Sequence, residues 1–180
     1  MMDWQGTRIP PSRLQTIIRD SPATRAYGAG DRRRLPRSLA TSFEGYLRAR
    51  LAAPLGTLEE IVAFLKGCRY VKDREVFGRD EVWLHPEDFE RAREGDCEDH
   101  ALWAWVRLVG LGLDARFTAG LHQGGGHAWV TLYRPTGVAV CETTGRKSGR
   151  YLYAVGETAA YEPVWSADRE ARFYWHGPRS

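Results

Sequence analysis

The sequence predicts an α+β fold in which a buried central helix packs against an antiparallel sheet. Up to residue 113 the apolar residues recur at helical spacing, and beyond it short runs of β-branched and aromatic residues are separated by glycine and proline. Helices that come first and strands that come second are typical of an α+β domain, whereas an alternating α/β fold would interleave them. The sequence contains no internal repeat.

Length and composition indicate a folded domain with its own core. The chain has 180 residues, of which 43% are hydrophobic and 27% charged, and both fractions are close to those of globular proteins. The longest apolar run, residues 101–113, contains Arg107 and is too short to cross a bilayer, so no membrane span is predicted. The N-terminus lacks the apolar segment of a secretory signal, and we therefore expect a cytoplasmic protein.

Residues 1–55 are predicted to form a basic, partly helical N-terminal segment, ahead of a domain that spans residues 56–180. The segment holds ten arginines and four carboxylates, although the net charge of the whole chain is only +3. Such a segment either meets phosphate or acidic lipid or is a solvated arm. No aromatic residues interleave with the arginines as a nucleic-acid groove requires, so nucleic acid is not predicted as a partner. Helices are expected at residues 12–19 and 38–53.

The helices of the domain are marked by their ends. Thr57 and Glu60 have the spacing of a capping box, ahead of an apolar pattern that stops at Gly67. A loop is expected over residues 70–85, after which a proline opens a short helix. Residues 98–110 are apolar nearly all round, which predicts the buried central helix.

Strands are expected after residue 113, where the helical pattern stops. They are predicted at residues 115–120, 127–134, 138–143, 151–155 and 171–176. Glycine-rich and proline-containing turns separate the first three, which indicates antiparallel hairpins.

The cysteines favour neither disulfides nor a metal. There are three, an odd number, and none forms a Cys-x-x-Cys pair. A zinc site from Cys97, His100, His122 and His127 is an alternative, but it would need two ligands from loops, so no metal is predicted. A lone cysteine with a distant histidine is the remaining pattern, and it is typical of a nucleophile and its base.

Three residues in the second half of the chain have the chemistry for acyl transfer. Cys97 begins the central helix, where N–H groups lower a thiol pKa and are placed to hold an oxyanion. His127 would accept the thiol proton, and Glu142, at the end of the next strand, would orient the imidazole. Each residue also has an ordinary interpretation: a packed cysteine, a polar loop histidine and a surface carboxylate.

Two motifs resemble the transglutaminase-like superfamily. They are Gly-Asp-Cys-Glu-Asp-His-Ala at residues 95–101 and Gly-His-Ala-Trp-Val at residues 126–130. The upstream segment Val-Trp-Leu-His-Pro-Glu, residues 82–87, resembles the segment that precedes the cysteine motif in this family. The chain is most similar to bacterial transglutaminase-like cysteine proteinases, over about residues 57–175.

The resemblance implies a papain-like, transglutaminase-like core with Cys97 as nucleophile and His127 as base. The third position reads Asp-Pro-Thr or Asp-x-Thr in these proteins, and here Glu142 is followed by two threonines, so the implied triad is Cys-His-Glu. Further residues near the motifs are candidates for substrate or oxyanion contacts, or for the core: Trp83, Trp129 and Asp96. No cofactor is predicted, with calcium as the one exception to consider, because some relatives bind it through acidic residues in this region.

The predicted function is thiol-dependent acyl transfer at an amide bond, in the first place hydrolysis of a peptide or protein substrate. Transamidation of a glutamine side chain is the close alternative, because it runs through the same thioester and differs only in the acceptor. A non-catalytic binding domain on the same fold is the third. Fast alkylation at neutral pH would distinguish a catalytic Cys97 from a packed one.

Overall fold

A computed structural model describes residues 31–33, 37–78, 82–145, 149–157 and 160–176 of the chain. The helix predicted at residues 12–19 lies outside these ranges. Within them, the helices precede most of the strands, as expected. The helices are α1 (Arg37–Leu47), α2 (Leu58–Lys66), α3 (Asp73–Phe77), α4 (Pro86–Ala92) and α5 (Cys97–Gly110).

The strands form one large antiparallel sheet and one short parallel pair. Their bounds are β1 (Asp31–Arg33), β2 (Arg69–Tyr70), β3 (Glu94–Gly95), β4 (Ala115–His122), β5 (Gly125–Arg134), β6 (Gly137–Cys141), β7 (Leu152–Ala154), β8 (Tyr161–Ala167) and β9 (Phe173–Trp175). The large sheet has the order β1-β9-β8-β4-β5-β6-β7, and β2 pairs with β3.

Helix α5 is the buried central helix, and it packs against β4 and β5. Ten of its residues are buried, and both of its tryptophans are fully inaccessible to solvent. Phe43 of α1 is 1% exposed and lies with its ring edge-on to Trp105 and Phe117. The α+β fold with a central helix on an antiparallel sheet is thus confirmed. Among the described residues, no helix is long and apolar enough to span a membrane.

The predicted caps explain where the helices begin. The Thr57 hydroxyl accepts a hydrogen bond from the Glu60 N–H, and the Glu60 carboxylate accepts one from the Thr57 N–H, so the capping box at α2 is complete. Pro86 occupies the first turn of α4, where its missing N–H costs nothing.

Several segments differ from the sequence predictions. The helix expected over residues 38–53 ends at Leu47, and β1, β2 and β3 are not among the predicted strands. The loop expected over residues 70–85 contains α3, a five-residue helix that ends at Gly78 in the left-handed conformation. Strand β8 was not predicted, because Pro163 lies in it and proline cannot donate to a strand ladder. The sheet accommodates this proline with a shift of register between Ala119 and Gly120 of β4.

Candidate active site

The start of α5 is held by the carboxylate of Asp99. Its two oxygens accept hydrogen bonds from the backbone N–H groups of Asp96, at 3.2 Å, and Leu84, at 2.8 Å. A Cβ atom at Gly95 would overlap this carboxylate, so glycine is required at that position. The Gly-Asp-Cys motif therefore has a structural reason: it lets Asp99 cap the helix that begins at Cys97.

Cys97 and His127 line the same cleft, which has a volume of about 600 Å³. One wall of the cleft is aromatic and includes Trp83, Phe117 and Trp165. The side chains of Lys72 and Arg74 also line it, and both residues are exposed. The cleft has the size of a typical small-ligand or peptide side-chain site.

His127 and Glu142 form a hydrogen bond, with 2.8 Å between Nε2 and Oε2. The sheet register explains how they meet. Cys141, the last residue of β6, pairs with Val130 of β5, so Glu142 stands just beyond the ladder. Its side chain, one methylene longer than that of aspartate, reaches back along β5 to His127.

Glu142 accepts hydrogen bonds at both carboxylate oxygens. Oε1 accepts from the Thr144 N–H at 2.7 Å and from the Thr144 hydroxyl at 2.6 Å, while Oε2 also accepts from the Tyr161 hydroxyl at 2.7 Å. Burial alone would raise the pKa of Glu142, but the hydrogen bonds from His127, Thr144 and Tyr161 lower it to about 2. The carboxylate is ionised and only accepts, so His127 Nε2 carries the hydrogen and Nδ1 is left as an acceptor.

The thiol of Cys97 donates to Glu98 in this structure, with 3.2 Å between Sγ and Oε2. Burial, together with the charges of Glu98 and Asp96, raises the pKa of Cys97, and the Ala128 N–H opposes this only in part. The expectation that the helix N-terminus lowers this pKa is therefore wrong for the state described here. Neighbouring carboxylates outweigh the backbone N–H groups.

A second group of acidic residues lies beside the nucleophile. Asp73, Asp96 and Asp99 each offer a carboxylate oxygen within 4.8 Å of the others, and all three are buried. Burial and the charges of Asp96 and Asp73 raise the pKa of Asp99 to about 7. One oxygen of Asp96, Oδ1, is buried and has no hydrogen-bond partner in the described part of the chain. These features fit a divalent cation with oxygen ligands.

Glu98 belongs to the same acidic group. Its carboxyl is 6% exposed and lies between the side chains of Asp96 and Cys97. Burial, and then the hydrogen bond and charge of Asp96, raise the pKa of Glu98 to about 9. Burial and the neighbouring carboxylate thus favour the protonated form of Glu98.

Comparisons with known proteins identify the fold. Residues 81–167, a little under half of the chain, match the family described as the CEP76 peptidase-like domain. LapG from Legionella pneumophila is 18% identical with a TM-score of 0.54, over 93% of this chain and 88% of LapG. Its calcium-bound form is 17% identical with a TM-score of 0.55, over 96% and 91%. The chain therefore shares its papain-like, transglutaminase-like fold with LapG.

The resemblance inferred from the cysteine and histidine motifs is thereby confirmed. At these identities the likeness to LapG establishes the fold alone. LapG has also been solved in an EGTA-treated form. No curated protein sequence matches the chain.

Within the transglutaminase-like fold, the two candidate tryptophans have different places. Trp83 lines the cleft and stacks on Trp165, with ring centroids 6.5 Å apart. Trp129 is fully buried and is not among the cleft-lining residues, so the structure gives no support to a substrate contact for it. It packs instead against the His127 ring, with 6.1 Å between centroids. Asp96 lines the cleft and belongs to the acidic group.

The four residues of the zinc alternative do not form one metal site in the described part of the chain. Among the described residues, the groups with metal-ligand spacing include none of the histidines. His100 is buried against Phe89, and its Nδ1 lies 2.7 Å from the carbonyl oxygen of Asp96. Of the other cysteines, Cys141 is fully buried and Cys68 lines a separate pocket.

Sequence reasoning missed three residues that contact the site: Thr144, Tyr161 and Glu98. Thr144 had a recognisable signal, since a threonine two residues after a carboxylate commonly hydrogen-bonds back to it. Tyr161 had no recognisable signal in the sequence, because β8, the strand in which it lies, is not among the predicted strands. The position of Glu98 beside Cys97 is visible in the sequence, but its burial is not.

Proposed function

We propose that this protein is a cysteine peptidase in which Cys97 is the nucleophile, His127 the general base and Glu142 the group that orients the imidazole. The observation that carries the proposal is the 2.8 Å hydrogen bond between His127 and Glu142 at the cleft that Cys97 lines. The match to a family described as peptidase-like supports it.

Each step of the reaction uses a group of this chain. The Cys97 thiol gives its proton to His127 Nδ1, and Sγ bonds to the substrate carbonyl carbon, which places negative charge on the carbonyl oxygen. Backbone N–H groups at the start of α5 are the donors for that oxyanion. The amine then leaves with the proton from His127, and a thioester remains. Water, deprotonated by His127, releases the acid and restores the thiol.

Before the Cys97 thiol can be activated, its hydrogen bond to Glu98 must break. The Sγ–Oε2 contact of 3.2 Å holds the proton of Cys97 away from His127. When substrate enters the cleft, rotation about the Cβ–Sγ bond of Cys97 would turn the thiol hydrogen away from Glu98 and toward His127. The imidazolium then formed is stabilised by the ionised Glu142.

The substrate in this proposal is a peptide or protein segment. The cleft combines an aromatic wall with an open side, which suits an apolar side chain on an extended peptide. Transamidation remains the alternative reaction of the same thioester, with an amine in place of water.

Calcium is proposed as a structural ligand of the acidic group. Asp73, Asp96 and Asp99 would hold it, and LapG, which shares the fold, has been solved in a calcium-bound form. The ion would supply positive charge that neutralises the buried carboxylates next to the start of α5. The orphaned Oδ1 of Asp96 fits a ligand role.

The experiment incubates the protein with a panel of peptides, with and without a primary amine, and follows the products by mass spectrometry. Cleaved peptides that disappear with Cys97→Ala are the expected result, and amine adducts would instead indicate a transamidase. Cys68→Ala is the matched control, because Cys68 is half-buried and lies outside the cleft. A Cys97→Ala protein that still cleaves would sink the proposal.

A further inference from the structure

The carboxylate of Glu142 is held at one oxygen by Thr144 and at the other by Tyr161. Thr144 donates twice to Oε1. These two hydrogen bonds fix Oε1, but the carboxylate can still rotate about that oxygen and move Oε2. The Tyr161 hydroxyl, 2.7 Å from Oε2, fixes the oxygen that accepts from His127.

The need for this second donor follows from the length of the side chain. Glutamate has one more rotatable bond than aspartate, so its carboxylate has more orientations available. An imidazole is aligned only if its acceptor is held in one of them. Tyr161 removes the freedom that the longer side chain adds.

Tyr161 is itself rigidly placed. It is 8% exposed and comes from β8, two strands away from β5. Its ring stacks on that of His122, the residue opposite it in β4, with 4.2 Å between centroids and 17° between planes. The same ring meets Trp129 edge-on at 5.3 Å. Both neighbours also contact the His127 ring, at 5.4 Å and 6.1 Å.

We propose that Tyr161 is a positioning residue of the active site, which fixes the Glu142 oxygen that accepts from His127 and thereby fixes the imidazole. This inference rests on the proposed function for its effect on turnover. Its geometric content, the orientation of His127 by way of Glu142, is independent of that function.

The kinetic test is Tyr161→Phe, which removes the hydroxyl and keeps the ring contacts with His122 and Trp129. We expect kcat to fall about tenfold while KM changes less than about twofold, because the lost bond aligns the base and does not touch substrate. Tyr153→Phe is the matched control: its ring lies 6.4 Å from that of Tyr161, but its hydroxyl donates to the Arg150 carbonyl.

A structural test uses the proton on His127 Nε2, which the hydrogen bond to Glu142 shields from exchange and moves to low field in the NMR spectrum. We expect this resonance to weaken or shift in Tyr161→Phe and to persist in Tyr153→Phe. Thr144→Val leaves the second donor to Oε1, the backbone N–H, and is expected to have a smaller effect than Tyr161→Phe. It also reports on the same carboxylate should Tyr161→Phe not fold.

The outcomes separate this inference from the proposed function. If the wild-type protein cleaves no peptide, the proposed function fails, but the resonance still decides the role of Tyr161. An unchanged resonance in folded Tyr161→Phe overturns the inference, even if kcat falls, because the loss would then have another cause. A larger effect of Thr144→Val than of Tyr161→Phe overturns it too.

Discussion

Two groups of buried carboxylates flank the Cys97–His127 cleft, and they have opposite electrostatics. Glu142 is 5% exposed and accepts four hydrogen bonds, and its pKa is lowered to about 2. Glu98 and Asp99 are equally buried, but their pKa values are raised to about 9 and about 7. Similar burial is therefore accompanied by pKa shifts in opposite directions.

The difference lies in what surrounds each carboxylate. Glu142 has donors on both oxygens, and these outweigh the cost of burial. Beside Cys97, Asp99 also has a donor on each oxygen, the N–H groups of Leu84 and Asp96, but burial and the charges of Asp96 and Asp73 outweigh them. Glu98 faces the carboxylate of Asp96, so burial and the neighbouring charge both raise its pKa. Glu142 is a fixed negative charge for an imidazolium, whereas binding of a proton or a cation stabilises the carboxylates beside Cys97.

The two groups also respond to pH in opposite directions. Glu142 adds stability above its ordinary pKa of 4.5, and this is lost as the pH falls from 4.5 through about 2. Glu98 and Asp99 hold protons in the folded protein that the unfolded chain releases. Their contribution is full below pH values of about 4 and is lost as the pH rises toward 7 and 9.

The largest expected effect comes from removing His127, the hydrogen-bond partner of Glu142. His127→Ala takes away the base and leaves Glu142 buried without its imidazole. We expect the rate of peptide cleavage to fall by about 10⁴-fold. Steady-state kinetics measure this, with His100→Ala for comparison, since His100 is buried outside the cleft. A larger loss with His100→Ala would contradict the assignment of the base.

Next in size is Glu142→Gln, which removes the charge but keeps an oxygen that accepts from His127. We expect cleavage to fall by about 10²-fold, less than with His127→Ala, because the ring stays aligned while the imidazolium loses its counter-charge. The pH–rate profile and kcat are measured together. Wild-type turnover in Glu142→Gln would refute the triad and leave a Cys–His dyad.

Calcium tests the other side of this comparison, because it would bind only the acidic group beside Cys97. At a hundredfold excess over Kd, it is expected to stabilise the protein by about 2.7 kcal/mol, which raises Tm by roughly 5–10 °C. Thermal unfolding with calcium and with EGTA measures the shift. Asp73→Asn should lose it, and Asp114→Asn, an exposed site, should keep it. Equal Tm values in calcium and EGTA would exclude the site.

The smallest effect is expected from Glu98→Gln, which imitates the protonated carboxyl. As the pH rises from 4.5 to about 9, Glu98 lowers the wild-type free energy of unfolding, because its folded form holds a proton that the unfolded chain releases. Glu98→Gln should flatten that slope and gain about 1–2 kcal/mol at pH 8 without calcium. Urea unfolding at several pH values tests this, with the exposed Glu59→Gln as control. An unchanged slope would show that Glu98 is ionised in the folded protein.

Much of the fold could be predicted from local patterns. The capping box of Thr57 and Glu60, the helix opened by Pro86 and the apolar helix from Cys97 all depend on neighbouring residues, so short stretches of sequence contain the signal. Strand β8 could not be predicted in this way. Pro163 argues against a strand locally, and only the register shift in β4 makes room for it.

The sequence by itself determined that helices precede the main part of the antiparallel sheet, and it contains the motifs around Cys97 and His127 that predict the transglutaminase-like fold. Only the tertiary structure decided the charge states of the site. Glu142 and Glu98 are the same residue type, and each follows a cysteine in the sequence. What lowers the pKa of Glu142 and raises that of Glu98 is the set of groups that distant strands and loops bring to each, Tyr161 on β8 among them. Desolvation and hydrogen bonding arise from contacts between segments far apart in the chain, and no local pattern records them.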